Sequence, residues 1–428
     1  MAAPHAIFAA AMAQLGPFEP KPLLAVAVSG GADSLALALL ADHWARQRGG
    51  SVCGLVVDHG LRPESAAEAA LTIDRLASRA IPARLLPVRG LQRGPSLAAR
   101  ARTARYEVLI EACASAGCLH LLLGHHRGDQ AETLMMRALS SSRSAGLAGM
   151  PALRELASVR LLRPLLGVAP GCLRALLRNE GLDWVEDPSN RDLRALRSRL
   201  RLGARLGEAE LAAAAALAGR QRAISEQLVA ATLGARVALR PEGFALMTPG
   251  RIMPEALAAL LQALAGAPFP PASAAVEALA AAPRPATLAG VRILRAGRLG
   301  PGWLLVREEA AMQPPVAAVP EVIWDGRFRL SAGEAPGHLM ADEVPVMASE
   351  PPDGMSLGAL GADAGKLRRW SDLPDVVLRT LPALRCGNSL VAVPHLRYPD
   401  ALACAHVRLR FHPADPMAGA PFLPPGSE

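Results

Sequence analysis

At 428 residues, 51% of them hydrophobic, the chain is too long for one ordinary core and has the apolar material to build two or three. A formal net charge of +8 permits a polyanionic partner without demanding one. The six cysteines (Cys53, Cys113, Cys118, Cys172, Cys386, Cys404) form no C-x-x-C pair and no Cys/His cluster with zinc spacing, which reads as buried free thiols in a reducing compartment. No apolar run reaches the roughly 18 residues of a membrane span, and Met1–Gly16 lacks the basic start and cleavage site of a signal peptide. The expectation is a cytoplasmic chain with no membrane segment and no obligate protein partner.

From residue 21 to about 185, short apolar runs alternate with helical patterns. Leu23–Val28 reads as a strand, Leu35–Gln47 as a helix, Val52–Val57 as a strand and Ala66–Ala80 as a helix. Ala83–Val88 is a strand, Ala98–Ala116 a helix, His120–Gly124 a strand and Gln130–Leu139 a helix. Such alternation predicts an α/β domain with a doubly wound parallel sheet over residues 1–205. A mainly helical middle domain follows over 206–312, with short strands at Val237–Arg240, Thr287–Leu294 and Trp303–Val306. A Pro-rich linker at Gln313–Pro320 leads to a small α+β domain over 321–412, and the Pro/Gly-rich tail 413–428 reads as disordered.

The segment with the most chemistry is Ser29-Gly30-Gly31-Ala32-Asp33-Ser34, directly after the first strand. Glycines let the main chain approach a ligand closely, and the following helix offers unpaired N–H groups and the positive end of its dipole to an anion. Asp33 has the wrong charge to bind phosphate itself; a bridging Mg²⁺ would resolve this. A tight strand-to-helix turn capped by Asp33 would look the same locally. A Walker A loop is excluded because no Gly-Lys-Ser/Thr follows, and a dinucleotide fingerprint because the G-x-G-x-x-G spacing is missing.

Further polar segments follow: Val57-Asp58-His59-Gly60-Leu61-Arg62, Arg102-Thr103-Ala104-Arg105-Tyr106, Gly124-His125-His126-Arg127-Gly128-Asp129-Gln130-Ala131-Glu132-Thr133, and Glu186-Asp187-Pro188-Ser189-Asn190. In a doubly wound sheet the loops after Val28, Val57 and Leu123 all open at the carboxyl edge, where ligands bind. Singly, each has a bland reading as a polar turn or a helix start. From Asn190 onward, Arg191, Arg194, Arg197, Arg201 and Arg205 fall within an arc of roughly 120° on a helix, opposite Leu193, Leu196 and Leu200. That face suits a phosphate backbone, although most charge runs are solvated surface.

Ser-Gly-Gly-x-Asp-Ser after an apolar strand resembles the signature of the PP-loop ATP pyrophosphatase superfamily, with its adenine nucleotide alpha hydrolase-like fold. The ordered set of segments is similar to the tRNA(Ile)-lysidine synthetase family. The resemblance is dense over about 22–201, includes Gly146–Met150 and Arg163–Leu165, thins through about 210–310, and returns at Leu378–Leu384 and Val391–Pro394. Two departures stand out: Gly128 replaces the first Asp of the family's Asp-Asp-Gln, and Ala195 replaces an aromatic residue.

The resemblance implies a ligase that uses ATP and Mg²⁺ to adenylate the wobble cytidine of the isoleucine tRNA with a CAU anticodon. Free L-lysine then displaces AMP. It implies Ser29, Gly30, Gly31, Ala32, Asp33 and Ser34 around ATP, and Asp33 and Asp129 around the metal. Asp33, Asp129 and His125 are the catalytic candidates, and Asp58, Asp129 and Glu132 the candidates for the lysine ammonium. Arg102, Arg105, Arg191, Arg194, Arg197, Arg201 and Arg205 are the candidates for tRNA contact. The alternative is another PP-loop tRNA-modifying enzyme such as a 2-thiolation enzyme; those relying on iron–sulfur clusters or persulfides need a cysteine arrangement that the six here do not form.

Overall fold

A computed structural model describes residues 4–60, 64–91, 94, 96–139, 144–186, 207–332, 354–399, 407–413 and 416–425. The chain divides into two compact units, Met1–Ser225 with Ala420–Glu428, and Glu226–Gly419.

In the first unit, helix α1 (Pro4–Leu15) precedes strand β1 (Leu23–Val28) and helix α2 (Ala32–Arg46). Then come β2 (Ser51–Asp58), α3 (Ser65–Ala77), β3 (Ala83–Pro87), α4 (Leu97–Ser115), β4 (His120–Leu122) and α5 (Arg127–Leu139). A short pair, β5 (Leu153–Glu155) and β6 (Arg160–Leu162), leads to α6 (Pro170–Asn179). The sheet order is β3-β2-β1-β4-β6-β5, parallel except for the β5–β6 hairpin. Central β1 pairs on both sides, Val26 opposite Gly54 and Leu122, so the loops after β1, β2 and β4 emerge at one edge.

The alternation of β1 sets the layers. Leu24, Val26 and Val28 join a core with Phe8 and Met12 of α1, Leu37 of α2, Leu76 of α3 and Leu177 of α6. Ala25 faces the other way, onto Leu109, Ala112 and Cys113 of α4. Helix α2 buries ten of its 15 residues, so it is apolar nearly all round, as a helix packed on both the sheet and its neighbours must be. Residues expected to form an unstructured tail also join this unit: Phe422 is 6% exposed, and Leu423 accepts a hydrogen bond from the Ala152 amide.

The region expected to be mainly helical contains the 29-residue helix α7 (Glu208–Arg236), α8 (Pro254–Ala265) and α9 (Ser273–Ala281). It also carries a five-stranded antiparallel sheet, β7 (Val237–Arg240), β8 (Phe244–Met247), β11 (Trp303–Arg307), β10 (Val291–Arg295) and β9 (Ala286–Leu288). The single strand expected at 287–294 is a hairpin, because Ala289 (φ 52°) and Gly290 (φ 73°) both turn left-handed and reverse the chain. The expected linker at 313–320 contributes β12 (Val316–Ala317) to a four-stranded sheet with β15 (Met355–Ala359), β16 (Pro382–Cys386) and β17 (Ser389–Ala392). A three-stranded sheet, β13 (Ile323–Trp324), β14 (Phe328–Ala332) and β18 (Val407–Phe411), completes it.

Asp325 ties this second unit together. Its fully buried carboxylate accepts from Arg307 Nε (3.1 Å), Arg327 Nε (2.7 Å) and the Gln313 amide (3.0 Å). Burial holds the Arg327 guanidinium down at about 10, against the pull of Asp325. Removing the one anion leaves two guanidiniums without a counter-charge. Asp325→Ala is therefore expected to cost about 3–5 kcal/mol, read as a lower urea midpoint of the unfolding phase reported by tryptophan fluorescence. A loss below about 1 kcal/mol would show that water already neutralises the pair.

Candidate active site

The turn between β1 and α2 is built to expose main-chain donors. Gly30 adopts φ +82°, and a Cβ there would collide with Thr72 Oγ1 of α3, so only glycine fits. Gly31 is the N-cap, with no side-chain cap, which leaves amides of the first turn of α2 without an intrahelical acceptor. Ser34 folds back: its hydroxyl accepts from the Ser29 amide (3.1 Å) and donates to the Gly31 carbonyl (3.0 Å). The Val185 amide donates to Gly30 O (2.9 Å), tying the loop to the segment that precedes Glu186.

The loops after β1, β2 and β4 line one cavity of about 420 Å³ with Ser29, Gly31, Asp33 and Ser34, then His59, then Gly124 and His125. Arg105 and Tyr106 of α4 close one side, and Leu55, Val57, Leu109 and Leu123 supply an apolar floor. A larger cavity of about 640 Å³, against α1, α6 and Leu423–Pro425, is mostly apolar and has no carboxylate or imidazole in its lining. The chemistry is therefore in the smaller one.

Asp33 and Asp129 approach from different elements, and the buried ring of His126 stands between them. His126 Nε2 lies 3.5 Å from Asp33 Oδ2 and 3.7 Å from Asp129 Oδ2. Burial raises the Asp33 carboxyl above the usual range, His126 lowers it, and the neighbouring Asp129 raises it further. Asp33 Oδ1 is buried with no hydrogen-bond partner. Among the described residues no three His, Cys, Asp or Glu side chains are grouped to hold a metal by themselves. Two carboxylates beside a phosphate-binding turn nevertheless suit Mg²⁺, which takes one or two carboxylates, substrate phosphates and waters. The orphaned oxygen of Asp33 fits that donor set.

The other sequence candidates separate. His125 lines the cavity, and its imidazole is pushed down to about 3, first by burial and then by Arg163. Asp58 is committed to a turn: it accepts from the Gly60 amide (2.9 Å) and Ser65 Oγ (2.7 Å), and these bonds lower its pKa. It is not among the residues lining the cavity. Glu132 is buried on α5, three residues past Asp129. Arg105 faces the cavity with its guanidinium pKa lowered by burial, whereas exposed Arg102 donates to Tyr106 OH (3.3 Å). Arg191, Arg194, Arg197, Arg201 and Arg205 lie outside the described residues, as do Leu61, Arg62 and Asp187–Asn190. The residue that sequence reasoning missed is His126; adjacent histidines give no signal of which one a helix start will turn toward the acids. Among the described residues no cysteine lines the cavity; Cys113 and Cys118 are buried as expected, Cys53 and Cys172 are half-buried and Cys386 is exposed, while Cys404 lies outside the described residues.

Gly30→Ala is expected to weaken ATP binding about tenfold or more by calorimetry with helix content unchanged, since the left-handed turn alone costs an alanine about 1–2 kcal/mol. Undiminished affinity would mean that the turn does not touch the nucleotide. His125 makes a pH prediction. Its native pKa, about 3, lies below its ordinary 6.5, so between those values the unfolded chain binds more protons and stability is lost as the pH drops. His125→Asn removes that contribution. Its urea midpoint relative to wild type should therefore rise as the pH drops from 7 toward 4; a constant difference would place a charged imidazole in the native cavity.

The family model described as "PP-loop domain" matches residues 5–205. A tRNA(Ile)-lysidine synthase of Ruegeria pomeroyi is 36% identical over 402 residues, covering 88% of this chain and 89% of that one. The one from Mesorhizobium japonicum is 34% identical, covering 81% and 82%. Another, from Bradyrhizobium diazoefficiens, is 46% identical over 183 residues, but that alignment spans only 42% of this chain and 50% of the relative. Identity is thus higher over the shorter alignment and lower over those that span most of the chain. The chain belongs to the tRNA(Ile)-lysidine synthase family.

Proposed function

We propose that this chain ligates lysine to the wobble cytidine of the CAU-anticodon isoleucine tRNA at the expense of ATP, releasing AMP and pyrophosphate. The observation that carries the reading is the convergence of the Ser29–Ser34 turn, His59 and His125 on one cavity, with Asp33 and Asp129 at the loops that frame it. Free amides at the start of α2, with Ser29, suit the triphosphate, and the apolar floor of Leu55, Val57 and Leu109 suits the adenine.

In the first step the cytidine O2 attacks the α-phosphorus, an O–P bond forms and pyrophosphate leaves. In the second, the lysine amine attacks C2, the C2–O bond breaks and the oxygen leaves with AMP, while the nitrogen gives up a proton. Asp33 and Asp129 would hold Mg²⁺, which would supply charge neutralisation at the phosphates. The main-chain donors hold the phosphates in line with the attacking base. Asp129 and Glu132 remain the candidates for the lysine ammonium, since Asp58 is held in its own turn through Oδ1, by Gly60 and Ser65, and does not line the cavity. A base as weak as His125 is a poor proton acceptor for an amine; a neutral imidazole there serves as a hydrogen-bonding partner. Arg102, Arg105 and the arginines of 191–205 are the proposed tRNA contacts.

Incubation with ATP, Mg²⁺, bulk tRNA and labelled lysine should place the label in tRNA through a link stable to acid and base. ATP turnover indifferent to lysine would overturn the assignment. Asp33→Ala should lower AMP formation by about a hundredfold or more, with tRNA retention on filters nearly unchanged.

A further inference from the structure

His126 is held through its backbone amide and through both ring nitrogens. Its own amide donates to Asp129 Oδ2 (3.0 Å), and the Gly128 amide donates to its Nδ1 (3.0 Å). An N–H pointing at Nδ1 requires a lone pair there, so in the neutral ring the proton sits on Nε2. That Nε2–H lies between Asp33 Oδ2 and Asp129 Oδ2, at 3.5 and 3.7 Å. With Nδ1 engaged and Nε2 protonated, the imidazole has no lone pair left to ligate a metal. What it offers instead is a single positive edge between two carboxylates that would otherwise repel each other.

The arrangement depends on the residue at 128. A Cβ on Gly128 would fall 2.9 Å from His126 Cε1, closer than real Cβ atoms approach, and a tight 3.1 Å from Nδ1, so the ring would have to shift. The same Cβ would also fall 3.3 Å from Glu208 Oε2, and Glu208 is held by Arg127 Nε at 2.9 Å. The aspartate that the family usually carries here would therefore displace the ring and set a carboxylate against a second one. We infer that His126 is a positioning residue that spaces Asp33 and Asp129 for a divalent cation, and that Gly128 is the partner that seats it and selects its tautomer in this chain. This rests on reading the two carboxylates as the cation-holding pair.

Two measurements on the full chain test it. The first is selective ¹⁵N-histidine labelling, with His126 assigned by its loss in His126→Gln, where long-range proton–nitrogen correlations should show the Nε2–H form. The second is calorimetric titration of Mg²⁺ with a non-hydrolysable ATP analogue. His126→Ala and His126→Asn should raise the Mg²⁺ needed for half-saturation by about tenfold or more. His126→Gln, whose amide NH₂ reaches toward the place of Nε2–H, should recover most of the loss. Gly128→Ala, with its fold checked by circular dichroism, should both disturb the tautomer signal and shift the Mg²⁺ requirement the same way. An Nδ1–H ring in the wild type, or an unchanged Mg²⁺ requirement in His126→Ala, would overturn the inference. If lysine transfer to tRNA fails while these shifts appear, the substrate reading falls and the positioning role stands.

Discussion

The site depends on one constraint: a buried parallel strand must hand over to a buried helix through a turn that leaves its amides unpaired. β1 ends in the centre of the sheet, and α2 starts four residues after Val28. Such a short connection needs the left-handed turn at Gly30, and Ser34 and Val185 then fix it by bonding to main-chain atoms. Donors that a helix usually satisfies with a side-chain cap are left facing a cavity. The helix start is thus suited to an anion because its local capping is incomplete, and the packing of α2 on every side keeps the turn from relaxing.

Charge is divided across that cavity. Asp33 and Asp129 lie by the turn; burial raises the Asp33 carboxyl, and the neighbouring Asp129 raises it further. On the other side Arg105 is buried enough to have a lowered pKa, and Arg163, buried outside the lining, is the first electrostatic influence on His125 after burial itself. A bound cation relieves the first wall, and a bound polyanion relieves the second. Both costs are carried by the fold before any ligand arrives, which is how preorganised sites gain their selectivity.

Gly128 illustrates how a departure from a family pattern can be read physically. As a lost carboxylate it weakens the expected site. In three dimensions the missing side chain is what makes room for the His126 ring, with Glu208 standing over the same space. A residue that only subtracts in a sequence motif can add a contact in the folded molecule.

The sequence by itself determined the parallel α/β layering, because short apolar runs spaced by helices have few other ways to bury both faces of a sheet. It also located the Ser29–Ser34 turn directly after a buried strand, and the ordered set of polar segments carried the family. Val237–Arg240 was legible to the residue, a short apolar-polar run right after a long helical stretch. The tertiary structure decided what depends on partners far along the chain. Which histidine reaches the acids, Asp58 serving its own turn, and Phe422 packing on the first unit each follow from contacts that no local pattern records. The hairpin at Ala289–Gly290 was hidden for another reason. An alanine in the left-handed region carries no turn signal, and only pairing on both sides stabilises it there.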